Sequence, residues 1–209
     1  MTDIYLCRHG RTAMNVAGLL RGRLDPDLDL VGYAEARDLA ELLGEVGLTR
    51  VIASPLRRAV ETARPIAKRY GLEVETDERL LDRDYGRFDG TAAADLIETY
   101  GSLDAAPGVE SAAAVTERGR SVLADLVAIP DAGPVAVVSH DAVIRLLLDS
   151  LVPTPAHNEH VPPRTGCWSL LRYTDAAWEL LMANSKDDPI ETVLAARSVH
   201  HAPVGSTRA

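Results

Sequence analysis

The stretch Ile4-Tyr5-Leu6-Cys7-Arg8-His9-Gly10-Arg11-Thr12 decides how the rest of the chain is interpreted. Its apolar run predicts a short buried strand, which ends abruptly in an arginine and a histidine before a polar segment begins. Open α/β sheets bind ligands at the ends of such strands. There a histidine offers a nucleophilic nitrogen, an arginine a planar fork suited to phosphate, and a glycine lets the backbone come close. The triplet alone is weak evidence, so the rest of the chain must supply partners.

Strand and helix patterns alternate along the chain after this first strand. Pro55 follows the second strand and begins a helix that Gly71 ends. Strands are predicted at 4–8, 50–53, 72–76, 135–138, 167–173 and 178–183, and helices at about 36–43, 56–70, 92–100, 111–128 and 142–151. Residues 15–29 and 80–90 are interpreted as irregular loops. The pattern predicts an α/β fold of three layers, α/β/α, whose mostly parallel central sheet has an antiparallel hairpin at its edge.

The composition is that of one globular domain. With 209 residues, of which 46% are hydrophobic, the chain predicts a single domain over residues 1–185 and a partly disordered C-terminal tail over 186–209. No apolar run reaches the length of a membrane span, and nothing before Ile4 resembles a signal peptide. Cys7 and Cys167 lie in apolar runs and are interpreted as buried thiols. These features predict a cytoplasmic protein with no membrane partner.

Charge is unevenly distributed along the chain. The net charge is -9, which argues against a general nucleic-acid surface. Residues 1–69 carry 11 Lys and Arg against 9 Asp and Glu, whereas residues 70–209 carry 11 against 22. The first third of the chain is therefore the part most favourable for binding an anion. The arginines of interest there are Arg8, Arg11, Arg21, Arg23, Arg57 and Arg58.

Two buried strands end in the same way, one in Arg8-His9-Gly10 and the other in Ser139-His140-Asp141. If these strands are parallel neighbours, both histidines lie at the same edge of the sheet. The strand that ends at Ala53 points to that edge too, and the helix after it carries Arg57 and Arg58 in its first turn. Two histidines, arginines and helix N-termini predict a site for a phosphoryl group.

Phosphoryl transfer from an ester also needs an acid. The leaving alkoxide must take a proton, so a carboxylic acid should lie close to the phosphorus. The irregular segment 80–90 offers three candidates, which are Asp82, Asp84 and Asp89.

The segment Arg8-His9-Gly10-Arg11-Thr12, together with Asn15, resembles the signature of the histidine phosphatase superfamily, in its phosphoglycerate mutase-like branch. Four further segments match in the right order, such as Leu28–Ala36 with the family's "LTxxGxxQA" and Ser54–Ala63 with "SPLxRAxxTA". Leu81–Gly90 resembles the acid-bearing loop, and Val137–His140 resembles the segment of the second histidine. The resemblance covers roughly residues 3–183, and five ordered matches make it strong.

The resemblance implies a role for each matched position. His9 would be the nucleophile that forms a phosphohistidine, and no metal or organic cofactor is implied. Arg8, Arg58 and His140 would bind the phosphoryl oxygens, with Asn15 assisting. A pair formed by His157 and His160 is interpreted as part of a loop rather than as a metal site.

The family's proton donor falls at Asp82, and here the sequence departs from the family. The usual residue is glutamate, so the shorter Asp82 must be brought closer by the backbone, or Asp84 acts instead; Asp82 is favoured. Asp141 stands where glycine is usual and, because a carboxylate repels phosphate, is expected to point away. The candidate substrate-binding residues are Arg11, Thr12, Arg21 and Asp84.

The sequence therefore predicts a phosphatase that acts on a small phosphate monoester. One alternative is a mutase. The resemblance argues against it, because the family's mutases carry an extra arginine-bearing insertion between the acid loop and the later helices. Here Thr91–Glu110 is short, and Arg118 is the first arginine after Arg87. A second alternative is a binding module for phosphorylated ligands, against which the intact His9 and His140 weigh. The partner is a small-molecule phosphate ester, and the oligomeric state, monomer or homodimer, stays open.

Overall fold

The computed structural model describes residues 1–130, 132–152 and 163–186. Within them a single six-stranded sheet has the order β3-β2-β4-β1-β5-β6. The strands are β1 (Thr2–Arg8), β2 (Arg50–Ala53), β3 (Val74–Thr76), β4 (Val135–Ser139), β5 (Trp168–Thr174) and β6 (Ala177–Ser185). The helices are α1 (Ala13–Val16), α2 (Leu30–Leu42), α3 (Arg57–Tyr70), α4 (Ala93–Tyr100), α5 (Ala112–Val127) and α6 (Asp141–Leu151).

The sheet is parallel in its first four positions and antiparallel at one edge. β1 pairs in parallel with β4, and β4 pairs in parallel with β2, which pairs in parallel with β3. β5 then runs antiparallel to β1 and forms a hairpin with β6. Asp175 and Ala176 turn this hairpin with φ angles of 51° and 61°, the left-handed values of a tight hairpin turn. The predicted fold class is confirmed, including the antiparallel hairpin.

Helices cover both faces of the sheet because side chains alternate along each strand. Tyr5 and Cys7 of β1 pack on one face with α2 and α3, whereas Ile4 and Leu6 pack on the other face with α5 and α6. The two resulting cores contain mostly Ala, Val, Ile and Leu. A third, smaller cluster joins α4 to the loop segments around Leu20 and Tyr85. The sheet and helices therefore form three layers, and α4 with the loop segments around Leu20 and Tyr85 forms a smaller packed region outside them.

The local signals in the sequence explain most element boundaries. Asp29 caps α2 by accepting from the Gly32 amide at 2.8 Å, and Gly71 ends α3 in the left-handed conformation with a φ of 65°. The predicted loop 15–29 begins inside the short helix α1, and the predicted loop 80–90 contains a 3-10 turn at Gly86–Phe88. These short turns lack a hydrophobic period long enough to read from sequence.

The predictions for the C-terminal tail and for the pair formed by His157 and His160 concern residues that the structure largely leaves undescribed. The predicted tail lies outside the described residues except for Lys186, and so does the His157 and His160 pair. Lys186 Nζ forms an ion pair with Glu35 Oε1 at 2.6 Å and so contacts the folded domain. Among the described residues, no helix is long and apolar enough to cross a membrane.

Candidate active site

The register of the sheet brings the two histidines together. Arg8 pairs with Ser139 at the ends of β1 and β4, and the His9 amide donates to the Ser139 carbonyl at 3.0 Å. His9 and His140 therefore leave the same edge side by side, with ring centroids 5.1 Å apart. Both are fully buried. The structure thus confirms that these two strands are parallel neighbours.

His9 is held in the form that a nucleophile needs. Its Nδ1 lies 2.7 Å from the Gly10 carbonyl oxygen, which can only accept, so Nδ1 carries the proton and Nε2 keeps its lone pair. Burial lowers the pKa of His9 well below 6.5, and the charges of Arg58 and Arg8 lower it further. The imidazole is therefore neutral near neutral pH. Its Nε2 is buried and has no hydrogen-bond partner among the described residues.

Arg58 is a fully buried cation in the first turn of α3. It donates to the Leu24 carbonyl at 2.7 Å, to the Gly22 carbonyl at 3.2 Å and to Asp82 Oδ2 at 3.1 Å. Burial lowers its pKa, and Asp82 is the strongest charge that opposes this. The neighbouring Arg57 points outward, with 60% of its side chain exposed, and pairs with Asp27. Adjacent arginines on one helix thus have different surroundings.

Asp82 lies buried beside Arg58 and His140. It is 2% exposed, and its Oδ2 lies 3.8 Å from His140 Nδ1 as well as 3.1 Å from Arg58. Burial raises the pKa of Asp82, against the opposing effect of Arg58. Its other oxygen accepts from the Arg83 amide at 2.9 Å, which fixes the carboxyl group. A buried carboxyl group with a raised pKa beside His140 can carry a proton.

The other two acids of the loop have different surroundings. Asp84 has 44% of its side chain exposed, caps the Gly86 amide at 2.7 Å and lies 3.7 Å from Arg23 Nε. Asp89 accepts from the Arg23 amide at 3.1 Å, and burial raises its pKa. In the described part of the chain, neither pairs with Arg58 or His140 as Asp82 does. The geometry therefore favours Asp82 over Asp84 and Asp89.

Five buried nitrogens of this region have no hydrogen-bond partner within the described residues. They are Arg8 Nε, His9 Nε2, Arg21 Nε, Arg58 Nε and His140 Nδ1. Their side chains influence one another electrostatically. Burial lowers the pKa of His140, and the charges of Arg58, Arg21 and Arg8 lower it further. The three arginine nitrogens are donors without acceptors, which suits a ligand rich in acceptor oxygens, and His9 Nε2 offers its lone pair at the same place. A phosphoryl group has that chemistry.

Arg21 approaches this centre from the long loop after β1. Its Nη1 donates to the Leu19 carbonyl at 3.0 Å, and its Nε is buried without a partner among the described residues. After burial, its charge is among the causes that lower the pKa of His9 and of Arg58. Sequence reasoning had placed Arg21 only among the candidate substrate contacts. Its position beside the two catalytic candidates suits a phosphoryl contact equally well.

Three other candidates form the turn that follows His9. Asn15 Oδ1 accepts from the Thr12 amide at 2.9 Å and from the Thr12 hydroxyl at 2.8 Å, which is a reciprocal cap of α1. Arg11 pairs with Asp29 at 2.8 Å, with 38% of its side chain exposed. The roles predicted for these residues in ligand binding stay predictions. Their observed contacts hold the shape of the loop.

Sequence reasoning missed the residues that hold the histidine loop. The Gly10 amide donates to Thr62 Oγ at 2.9 Å, and His140 Nε2 lies 2.8 Å from Ser54 Oγ. Glu35 accepts from the Arg11 amide at 2.7 Å and from Thr165 Oγ at 2.9 Å. All except Thr165 lie in the matched segments of the sequence, so the signal was present. What it lacked was the tertiary contact that gives each residue its partner.

Asp141 does not point away from the site, so that expectation is wrong. It is the first residue of α6, and its Oδ1 is buried without a hydrogen-bond partner among the described residues. Burial lowers the pKa of Arg8, and Asp141 is the strongest charge that opposes this. A carboxylate is repelled by phosphate, but here the charge of Arg8 attracts it.

Metal ligands are not grouped in this region. In residues 1–130, 132–152 and 163–186, no three His, Cys, Asp or Glu side chains are placed to hold a metal ion together.

A buried histidine with a free Nε2, set among arginines and a second histidine at the carboxyl edge of the sheet, defines a class of protein. Residues 4–186 match the histidine phosphatase superfamily, branch 1, and the chain belongs to this family. The chain is 30% identical over 189 residues to a probable phosphoglycerate mutase GpmB from Enterobacter sp. (strain 638), covering 85% of this chain and 88% of that protein. A protein of the same name from Proteus mirabilis (strain HI4320) is 31% identical with the same coverage.

Solved structures show the same fold. A mycobacterial glucosyl-3-phosphoglycerate phosphatase, solved with VO3, has 30% sequence identity and a TM-score of 0.79, covering 88% of this chain and 98% of that chain. A putative alpha-ribazole-5'-P phosphatase from Escherichia coli has 28% identity and a TM-score of 0.78, covering 88% of this chain and 97% of that chain. Relatives of this chain are thus named both as phosphatases and as mutases, and an enzyme is supported in either case.

Proposed function

We propose that this chain is a phosphatase that hydrolyses a small phosphate monoester through a phosphohistidine at His9. The observation that carries the proposal is the His9 ring, whose Nδ1 is bonded to the Gly10 carbonyl while the buried Nε2 lacks a partner among the described residues. Burial and the neighbouring arginines keep this ring neutral. A neutral imidazole among cations can attack a phosphorus atom whose negative charge those cations reduce.

The first step transfers the phosphoryl group to the protein. His9 Nε2 forms a bond to phosphorus while the bond from phosphorus to the ester oxygen breaks. Arg8, Arg58 and His140 hold the phosphoryl oxygens, and the Gly10 carbonyl stabilises the Nδ1 proton as the ring becomes cationic. Asp82 gives its proton to the departing alkoxide. The alcohol product then leaves.

The second step regenerates the histidine. Asp82 is now a carboxylate, stabilised by Arg58 at 3.1 Å, and it takes a proton from an incoming water. The water oxygen bonds to phosphorus as the bond from phosphorus to Nε2 breaks, which releases inorganic phosphate and neutral His9. Asp82 thus serves as acid first and base second.

Hydrolysis is favoured over the mutase reaction by the contacts of Arg118. Its guanidinium donates to the Leu81 carbonyl at 2.6 Å and pairs with Glu110 at 2.8 Å. These bonds hold the acid loop against α5 and use the arginine internally. Phosphoglycerate mutation remains the second candidate, because the curated relatives named above carry that name.

We propose a cytoplasmic location for this enzyme. Cys7 and Cys167 are both buried free thiols, as the sequence predicted. Burial raises the pKa of the Cys167 thiol to about 11. Unreactive, unpaired thiols suit a reducing compartment.

The test is a panel of phosphate monoesters scored by release of inorganic phosphate. The wild-type protein should release phosphate, and quenching in alkali, where phosphohistidine survives, should trap phosphate on His9. The variant His9→Ala should abolish both signals, while Arg57→Ala, which changes an exposed arginine, should retain them. Release that survives His9→Ala would rule out the mechanism. Interconversion of the phosphoglycerates, without oxygen from isotopically labelled water entering phosphate, would establish the mutase.

A further inference from the structure

Asp141 is a second acidic residue, besides Asp82, at a site that also contains Arg8, Arg21 and Arg58. It follows His140 directly and begins α6, so its backbone position places it at the same sheet edge as His9. Its Oδ1 is shielded from solvent and accepts no hydrogen bond in the described part of the chain. It forms no ion pair with Arg8 there either. Buried carboxylate oxygens are expected to find donors, so the missing donor points to a ligand.

Two sets of neighbours locate the carboxylate. Besides burial, Asp141 influences the pKa of Arg8 at the end of β1, and it also influences those of Asp82 and Tyr85 in the acid loop. Asp141 directly follows His140, whose Nδ1 lies 3.8 Å from Asp82 Oδ2, so it begins α6 on the side of the site where the acid lies. The acid must reach the ester oxygen of the substrate. A carboxylate on the side of the acid is therefore placed to meet the alcohol part of a substrate rather than its phosphoryl group.

The phosphoryl group cannot satisfy Asp141. Its oxygens are acceptors at neutral pH, and two negative groups repel each other. The donor must come from the alcohol part, and an ammonium group supplies both a donor and a positive charge. A carboxylate at the same place on the substrate would meet repulsion from Asp141.

We propose that Asp141 is a specificity-determining residue that selects phosphate monoesters carrying a protonated amine within two or three atoms of the ester oxygen. This inference rests on the proposed phosphatase function. It makes the substrate an aminoalkyl phosphate in chemical class. The glycine that is usual at this position in the resembling family has no side chain to make this selection.

The experiment compares two esters of nearly equal shape. Phosphoethanolamine and n-propyl phosphate differ chiefly in an ammonium group where the second has a methyl group. Wild-type protein should have a kcat/KM at least about tenfold higher for phosphoethanolamine, the ratio expected for one hydrogen bond to a charged group. Asp141→Asn should bring the ratio close to unity, mainly by lowering the value for phosphoethanolamine. Asp149→Asn, which removes a carboxylate at the far end of the same helix, should leave the ratio unchanged.

The outcomes test the amine selectivity of Asp141 separately from the phosphatase function. Equal rates for both esters in wild-type protein, or a preference that survives Asp141→Asn, would overturn the inference and leave the phosphatase intact. An equal loss with both esters would also overturn it, because it would assign Asp141 to general catalysis. If wild-type protein hydrolyses neither ester, the preference is measured as binding by calorimetry. Asp141→Gly provides a second variant should asparagine disturb the start of α6.

Discussion

The exchange of Asp82 for asparagine tests the acid most directly. Asparagine has the same shape and can still accept from the Arg83 amide, which Asp82 bonds at 2.9 Å, so the loop should keep its form. It cannot donate a proton as a carboxylic acid does. For an alkyl phosphate, kcat should fall about a hundredfold to ten-thousandfold, the usual contribution of a general acid. This corresponds to about 3–5 kcal/mol of activation free energy.

The substitution should also lower stability, because an amide cannot offset the buried charge of Arg58 as Asp82 does in its ionised form. Removing one partner of a buried ion pair typically costs about 3–5 kcal/mol. Arg58 keeps its bonds to the Leu24 and Gly22 carbonyls, so the loss should lie at or below the lower end of that range. Denaturant unfolding measures it. Inorganic phosphate should restore part of the stability by supplying negative charge to the same cations.

The assay uses two leaving groups and one matched variant. With p-nitrophenyl phosphate the phenolate leaves without a proton, so Asp82→Asn should slow the formation of phosphohistidine far less than it does with an alkyl phosphate. Asp84→Asn removes a carboxylate that is 44% exposed and should change turnover of either substrate less than threefold, about 0.6 kcal/mol. An Asp84 variant that loses turnover while the Asp82 variant keeps it would refute the assignment. So would an equal loss of phosphohistidine formation with both leaving groups.

Three further predictions concern the surroundings of the acid. Arg21→Met should lower kcat/KM at least about tenfold, because Arg21 Nε is a buried donor of the site, while Arg57→Met serves as the exposed control. The acid limb of kcat/KM against pH should lie below pH 6.5, because burial and then Arg58 lower the pKa of His9 and the neutral ring persists as pH falls; a limb at or above 6.5 would contradict this. Gly10→Ala should lower the free energy of unfolding by about 1–3 kcal/mol, measured by thermal unfolding, because its Cβ would lie 2.4 Å from the Gly32 carbonyl oxygen. An unchanged melting temperature would show that α2 shifts without cost.

The comparison of Asp82 with Asp84 shows where sequence reasoning reached its limit. The matched segment placed the acid within three residues, but both aspartates share one loop and one chemistry. Burial separates them, since Asp82 is 2% exposed and contacts Arg58, whereas Asp84 meets solvent and Arg23. Local sequence carries no record of which loop residue a distant helix covers. The same limit explains Asp141, whose neighbours come from β1 and the acid loop.

The sequence by itself determined the strands and most of the helices, because these depend on local periodicity and on proline and glycine signals. Its ordered motifs also singled out the two histidines that meet at the sheet edge. His9 and His140 were assigned to one sheet edge on the sole assumption that their strands are parallel neighbours, and the register confirms it. Only the tertiary structure decided the tautomer of His9, the burial of Arg58 and Asp82, and the inward side of Asp141. Each of these depends on contacts between residues far apart in the chain, where solvent is excluded and unpaired charges become costly.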